Sequence, residues 1–241
     1  MDVYFNSKKM PREKKEYVAF LDIMGTSANM AHSVNKTANY IFKLHAAILS
    51  AWKKTSYEGV FVYPVMDGAY ITSRRKDSME KVLVSIMDTL SKIFVEEIDD
   101  DKRFVIRAGL AYGELIHGHE IPFNASKIFE LDLGYKNILL LGSGMILANE
   151  SEKHAAPFGI YVDSSAEKHI GAKQRSFGTF DSDWKWYLSR EKKTKTDVST
   201  LKSLLVGHFE EFKDDNHPLH YDEAKINNHI QRINDYFLEE T

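Results

Sequence analysis

Cysteine is absent from the 241 residues, which removes disulfides, zinc–thiolate sites and cysteine nucleophiles from consideration. A surplus of one charge is also lacking. Lys and Arg number 32 against 35 Asp and Glu, so no basic excess draws the chain to nucleic acid or to an anionic membrane. No apolar run reaches membrane-spanning length, and the opening MDVYFNSKKMPREKKEY has no apolar core of the kind a secretory signal needs. A cytoplasmic location, with neither nucleic acid nor membrane as partner, is the expectation. No internal repeat is visible. What remains is an ordinary globular composition, 43% hydrophobic and 28% charged, sufficient for one domain of roughly 180 residues and an accessory segment.

The apolar pattern sets the elements. Tyr17-Val-Ala-Phe-Leu21 is a short continuous run, as in a strand buried on both faces. It stops at Asp22, and Gly25-Thr26-Ser27 punctuates the start of a helix. Val34, Ala38, Ile41, Leu44, Ile48 and Trp52 recur at helical steps. Two strand-like runs follow, Val60–Val65 and Ala69–Ser73, with Met66-Asp67-Gly68 between them, a strong hairpin signal. A second amphipathic helix carries Met79, Val82, Ile86, Leu90 and Phe94, and Phe104–Gly113 reads as the next strand. Leu139–Lys153 opens a further helix, Phe158–Val162 is a strand, and Trp184–Leu188 reads as the last one. The order β-α-β-β-α-β followed by α-β is that of a ferredoxin-like α+β fold with additions. Residues 1–15 are expected to be a flexible arm, 16–189 the catalytic domain, and 190–241 a charged linker with a helical C-terminal extension.

Three residues stand out chemically. Asp22 ends a buried strand and Asp67 sits at the hairpin tip, so the β-α-β-β order can bring both carboxylates to one end of the sheet. Such a pair suits Mg2+ or Mn2+, which prefer carboxylates, water and substrate phosphates. An aspartate there also serves as a helix cap, and Asp-Gly is good turn chemistry in its own right. Arg107 interrupts an apolar strand and needs a carboxylate or an anionic ligand, since it keeps its charge. His117-Gly-His119-Glu120 lacks the third ligand a metal site would want and is read as a solvated loop. Ser143, between Gly142 and Gly144, lacks the context of a nucleophile elbow.

These segments resemble the class III nucleotide cyclases in unbroken order over roughly residues 16–188. Phe20-Leu-Asp22-Ile-Met-Gly25-Thr26 is similar to the F-x-D-I-x-G-F/T motif, and Met66-Asp67-Gly68-Ala69-Tyr70 to the second metal-aspartate hairpin, 45 residues on. Ile106-Arg107-Ala-Gly109-Leu-Ala-Tyr-Gly113 resembles the R-x-G-I-x-x-G strand. Leu141-Gly142 through Glu152 resembles the G-x-x-V-N-x-A-x-R-x-E helix. The resemblance implies that Asp22 and Asp67, with the Ile23 carbonyl, hold two divalent cations. It places the amides around Met24, Gly25 and Thr26 on the terminal phosphates and Arg107 on the departing pyrophosphate. It also implies a homodimer whose sites are each built from both protomers.

The departures from the pattern concern the base. The lysine slot of the purine cyclases is Tyr63 here, and the aspartate slot is Leu139. The transition-state asparagine and arginine fall on Ile146 and Glu150. A tyrosine in the base slot fills the volume of a purine's second ring, although Tyr63 is equally an ordinary aromatic strand residue. The combination is most similar to the pyrimidine cyclases of bacterial Pycsar anti-phage systems. That likeness implies conversion of UTP or CTP to a cyclic monophosphate, sensed by a separate effector protein. The alternatives are a purine cyclase with unorthodox base contacts and a catalytically silent nucleotide-binding domain.

Overall fold

A computed structural model describes residues 4–54, 59–168, 182–189, 194–214 and 222–237. The elements run β1 (Lys14–Ile23), α1 (Thr26–His32), α2 (Val34–Lys54), β2 (Val60–Val65), β3 (Gly68–Ser73), α3 (Lys76–Glu96) and β4 (Ile106–His117). Two short helices, α4 (Lys127–Leu131) and α5 (Leu133–Asn137), precede β5 (Leu140–Leu141) and α6 (Ser143–Glu152). Then come β6 (Ile160–Val162), α7 (Ser164–Lys168), β7 (Asp183–Trp184), α8 (Val198–Glu211) and α9 (Glu223–Tyr236).

The sheet order is β2-β3-β1-β4-β6-β7, with β5 on the far half of β4. Each of the first four strands is antiparallel to its neighbours among them, as the ferredoxin-like reading requires, and β4 pairs parallel with β6. Strand β1 is central, which explains its unbroken apolar run. Tyr17, Ala19 and Leu21 face the main core under α2 and α3, while Val18 and Phe20 join a second cluster with Tyr63, Tyr70 and Ala148. Burial on both faces selects apolar side chains at every step rather than at alternate ones.

Helix α6 lies directly on β1 and β4. Glycine permits this closeness: a Cβ on Gly109 would stand 2.1 Å from the Ala148 carbonyl oxygen and 2.3 Å from the Glu152 nitrogen. At the hairpin, Met66 rather than the glycine takes the left-handed conformation, with φ 42°. Gly68 is instead the first paired residue of β3, where a side chain would meet the Leu21 carbonyl oxygen at 2.4 Å.

Two expectations change, and the helical C-terminal extension is present. The stretch read as a loose arm is pinned: β1 begins at Lys14, paired to Leu115, and the Asn6 amide donates to the Ala125 carbonyl at 2.8 Å. The last strand is two residues long, because the chain turns at Lys185 so that the buried Trp186 indole donates to the Phe158 carbonyl. The C-terminal helices close the core, with Leu201, Leu205, Phe209, Ile226 and Ile233 inside it. The buried Asp88 of α3 holds the approach to α8, accepting from the amides of Lys195 and Thr196 and from the Thr196 hydroxyl. Residues 190–193 of the expected linker lie outside the described residues.

Candidate active site

Sheet register places the predicted residues. Asp22 pairs with Gly68 on one side and with Arg107 on the other. The Ile23 amide donates to the Asp67 carbonyl at 3.3 Å, tying the hairpin tip to the end of β1. Asp22, Asp67 and Arg107 therefore gather at one sheet end. The Asp22 carboxyl is pushed up to about 7 by burial first, then by the neighbouring charges of Asp67 and Glu152, with Arg107 only partly offsetting them. Negative charge is concentrated there beyond what the chain itself compensates.

Arg107 has a partner within the chain. Its Nη2 lies 2.7 Å from Oε1 of Glu152, a residue only 4% exposed, and its Nε is buried without a hydrogen-bond partner. Burial raises the Glu152 carboxyl, and Arg107 counters it. Glu152 is a member of the site that the sequence reading did not single out. Its signal was present: Gly144, Ala148 and Glu152 share one face of α6, and the two small residues let that face approach β4.

The β1–α1 turn is partly committed. The Met24 amide donates to the Val105 carbonyl at 2.8 Å and so is used by the fold. Gly25 takes the left-handed conformation, with φ 72°. The Thr26 hydroxyl donates to the Ile23 carbonyl at 2.9 Å, leaving that oxygen one further lone pair. The amides of Gly25 and Thr26 are the donors on which the phosphate expectation rests.

Tyr63 lies elsewhere on the second face of the sheet, 4% exposed. Burial, then the charges of Glu16 and Glu120, raise its hydroxyl pKa, so it stays an O–H donor, 2.5 Å from Nδ1 of His117. With Nδ1 accepting, Nε2 of His117 carries the proton toward Oε2 of Glu16 at 3.3 Å. Glu16 also accepts from Arg74 Nε at 2.9 Å; burial alone would raise its carboxyl, yet His117 and Arg74 hold it below the ordinary range. Arg74 and Lys14 both reach Glu120. His117 is thus fully buried at the end of β4 and not in a solvated loop. The reason is that β4 runs on past its last pair with β1, at Leu115, and its far end sets His117 and His119 against Phe61 of β2. Nearby, the Tyr70 hydroxyl meets the Asn149 side chain.

Small, hard divalent cations fit the donor set at Asp22 and Asp67: both are carboxylates, and their mutual repulsion is what a cation relieves. Among the described residues no group of three or more metal-ligating side chains forms. The remaining positions would be filled by the Ile23 carbonyl, water and substrate phosphates. Also among the described residues, no helix is long and apolar enough to cross a membrane.

No family model matches the chain. No curated protein matches it either. Solved structures do. The guanylyl cyclase domain of the RhoGC fusion protein from the aquatic fungus Blastocladiella emersonii, in a monomeric crystal structure, superposes with a TM-score of 0.50 at 17% identity, covering 68% of this chain and 88% of that one. A dimeric structure of that guanylyl cyclase domain gives a TM-score of 0.50 at 17% identity, over 66% and 85% of the two chains. The α+β fold, a mixed sheet with flanking helices, matches these cyclase catalytic domains, and here it carries C-terminal helices built into the core.

Proposed function

We propose that the chain is a nucleotide cyclase that converts UTP, or else CTP, to the 3′,5′-cyclic monophosphate and pyrophosphate, acting as a homodimer with two divalent cations, Mn2+ or Mg2+. One observation carries the cyclase reading: Asp22, Asp67 and Arg107 converge at one end of a cyclase-type sheet, with charge left over for a cation. In the reaction the ribose 3′-oxygen bonds to the α-phosphorus and the bond from that phosphorus to the bridging oxygen breaks. Pyrophosphate departs, and the hydroxyl proton passes to solvent.

The residues have distinct tasks. Asp22, Asp67 and the Ile23 carbonyl hold the cations, which when bound supply Lewis acidity at the 3′-hydroxyl and neutralise the triphosphate. The Gly25 and Thr26 amides receive the terminal phosphates. Arg107, oriented by Glu152, offsets the charge that accumulates on pyrophosphate. Tyr63 offers a base no polar group, because it is buried and its hydroxyl is spent on His117. A ring there, in place of a polar reader of the purine edge, supports the choice of a pyrimidine. Following the resemblance to anti-phage pyrimidine cyclases, the product is a second messenger read by a separate effector protein.

Asp22→Asn and Asp67→Asn test the metal pair. Each is expected to lower turnover roughly a hundred- to a thousandfold or more, the scale of losing one preorganised charge from a transition state, with circular dichroism unchanged. Near-normal turnover in either variant removes the mechanism. Both similar solved domains are guanylyl cyclase domains, so a purine preference is the competing outcome for the substrate.

A further inference from the structure

At the β1–α1 turn lies a cavity of about 470 Å3 that shares Met24 and Gly25 with the proposed phosphate turn but has none of Asp22, Asp67 and Arg107 in its lining. Met24 and Gly25 line it together with Tyr40 and Phe104, with Phe209 of α8 and Phe212 just after that helix, and with Lys225 and His229 of α9. Its size falls within the ordinary range of small-molecule sites, and such sites combine apolar walls with a few placed polar groups.

We propose that this cavity is a second ligand site, taking a compound that joins a flat aromatic base to at most one negative charge, the class of nucleosides and cyclic nucleotides. The walls supply stacking surface. Tyr40 and Phe104 stack on each other, 5.4 Å between centroids and 25° apart in plane, and Phe209 and Phe212, on the same lining, meet edge to face. Aromatic side chains of this kind bind bases through their faces with little regard to sequence of functional groups. His229 supplies a hydrogen-bonding atom, its buried Nδ1, which has no partner. Burial, then the cations of Arg107, Arg232 and Lys225, lower the His229 pKa to about 4, so the ring is neutral and has one N–H and one lone pair.

Charge at the rim limits the ligand. Asp99, Asp100 and Asp101 are each matched by Lys102, Arg103 and Lys36. Among the described residues Lys225 makes no ion pair, and Glu211 stands on the same lining. One free cation beside one free carboxylate accommodates a neutral or singly charged group and disfavours a triphosphate. Since Met24 and Gly25 belong both to this wall and to the proposed phosphate turn, occupancy bears on catalysis. That coupling, unlike the binding, rests on the cyclase reading above.

Isothermal titration of the full chain with cyclic UMP, cyclic AMP and uridine, without divalent cations, tests the proposal. The expected result is saturable binding at one site per chain, undiminished by excess UTP and retained in an Asp22→Asn/Asp67→Asn chain. Phe212→Ala and His229→Phe, each checked for an unchanged melting profile, should weaken it at least tenfold. Equal binding of uridine and cyclic UMP assigns recognition to the base, whereas loss of the cyclic UMP advantage in Lys225→Ala assigns a share to phosphate; both support the site. Absence of binding by all three probes, unchanged affinity in both cavity variants, or displacement by UTP overturns it. Failure of the cyclase reading shows separately, as absent turnover with binding intact.

Discussion

Tyr63 combines a ring and a hydroxyl whose tasks substitution can separate. Tyr63→Phe leaves His117 Nδ1 buried without its donor, a loss that costs about 1–3 kcal/mol of stability, while the ring that excludes a purine stays. Tyr63→Ala removes both. We expect kcat/KM ratios among the four nucleotides to be unchanged in the first variant and to shift toward ATP or GTP in the second. The shift is bounded, because a steric wall discriminates by only about 1–3 kcal/mol per missing group and Leu139 gives a purine edge no polar partner. Unmoved ratios in Tyr63→Ala would make this a packing residue. His229 gives a second test at this scale, through pH. Its folded-state pKa is depressed to about 4 from an ordinary 6.5, so the unfolded chain takes up a proton first as pH falls. Stability is then lost between about pH 6.5 and 4, through linkage. The groups set against the imidazole are Arg107 from β4 and Lys225 and Arg232 from α9, all cations. Protonation of Asp22, raised to about 7, acts in the opposite sense in both chains, so the measurement is the difference. From pH 7 to pH 5 the urea midpoint of the wild type should fall relative to that of His229→Gln.

Elements were legible where periodicity was strong and one physical cause dominated. The run at Tyr17–Leu21 reflects burial on two faces and the steps of α2 burial on one stripe, whereas α3 is buried at every position from Val82 to Asp88 because α8 packs on it as well as the sheet and α2. The stretch from Phe123 to Asn137 forms a turn of 3-10 helix and two five-residue helices, too short to show a period. The contact between the far end of β4 and β2 was not legible either. It rests on contacts between Tyr63 and His117, residues 54 apart in sequence, which no local pattern announces. In the candidate site, Asp22, Asp67 and Arg107 were found from their places on strands, whereas Glu152 was hidden because its partner is on another element. The closeness of α6 to β4 makes that ion pair, and Gly109 makes the closeness. Gly109→Ala puts a methyl 2.1 Å from a backbone oxygen, so the helix must withdraw. We expect a stability loss of about 1–3 kcal/mol or more from overpacking, together with reduced turnover as Arg107 loses its brace. Thermal melts and initial rates on the same preparation check both.

At the scale of the whole molecule, α8 and α9 contribute to the larger of the two apolar clusters, so the C-terminal helices are part of the main core beneath the sheet. Exposed apolar side chains concentrate elsewhere: Leu131, Leu133, Tyr135, Ile138, Leu141 and Ile146 all lie between α4 and α6 and are all exposed. Apolar surface concentrated in this way marks an association face more often than chance exposure, and it supports the proposed homodimer. The account stands or falls on what the intact protein does to nucleoside triphosphates. The most direct measurement is incubation with ATP, GTP, UTP and CTP separately, with Mn2+ and again with EDTA, followed by identification of products by mass. The account predicts a cyclic pyrimidine monophosphate and an equal amount of pyrophosphate, from UTP above CTP, formed with Mn2+ and abolished by EDTA. Cyclic AMP or cyclic GMP as the main product would contradict the pyrimidine assignment, and no cyclic product from any of the four would contradict the cyclase itself.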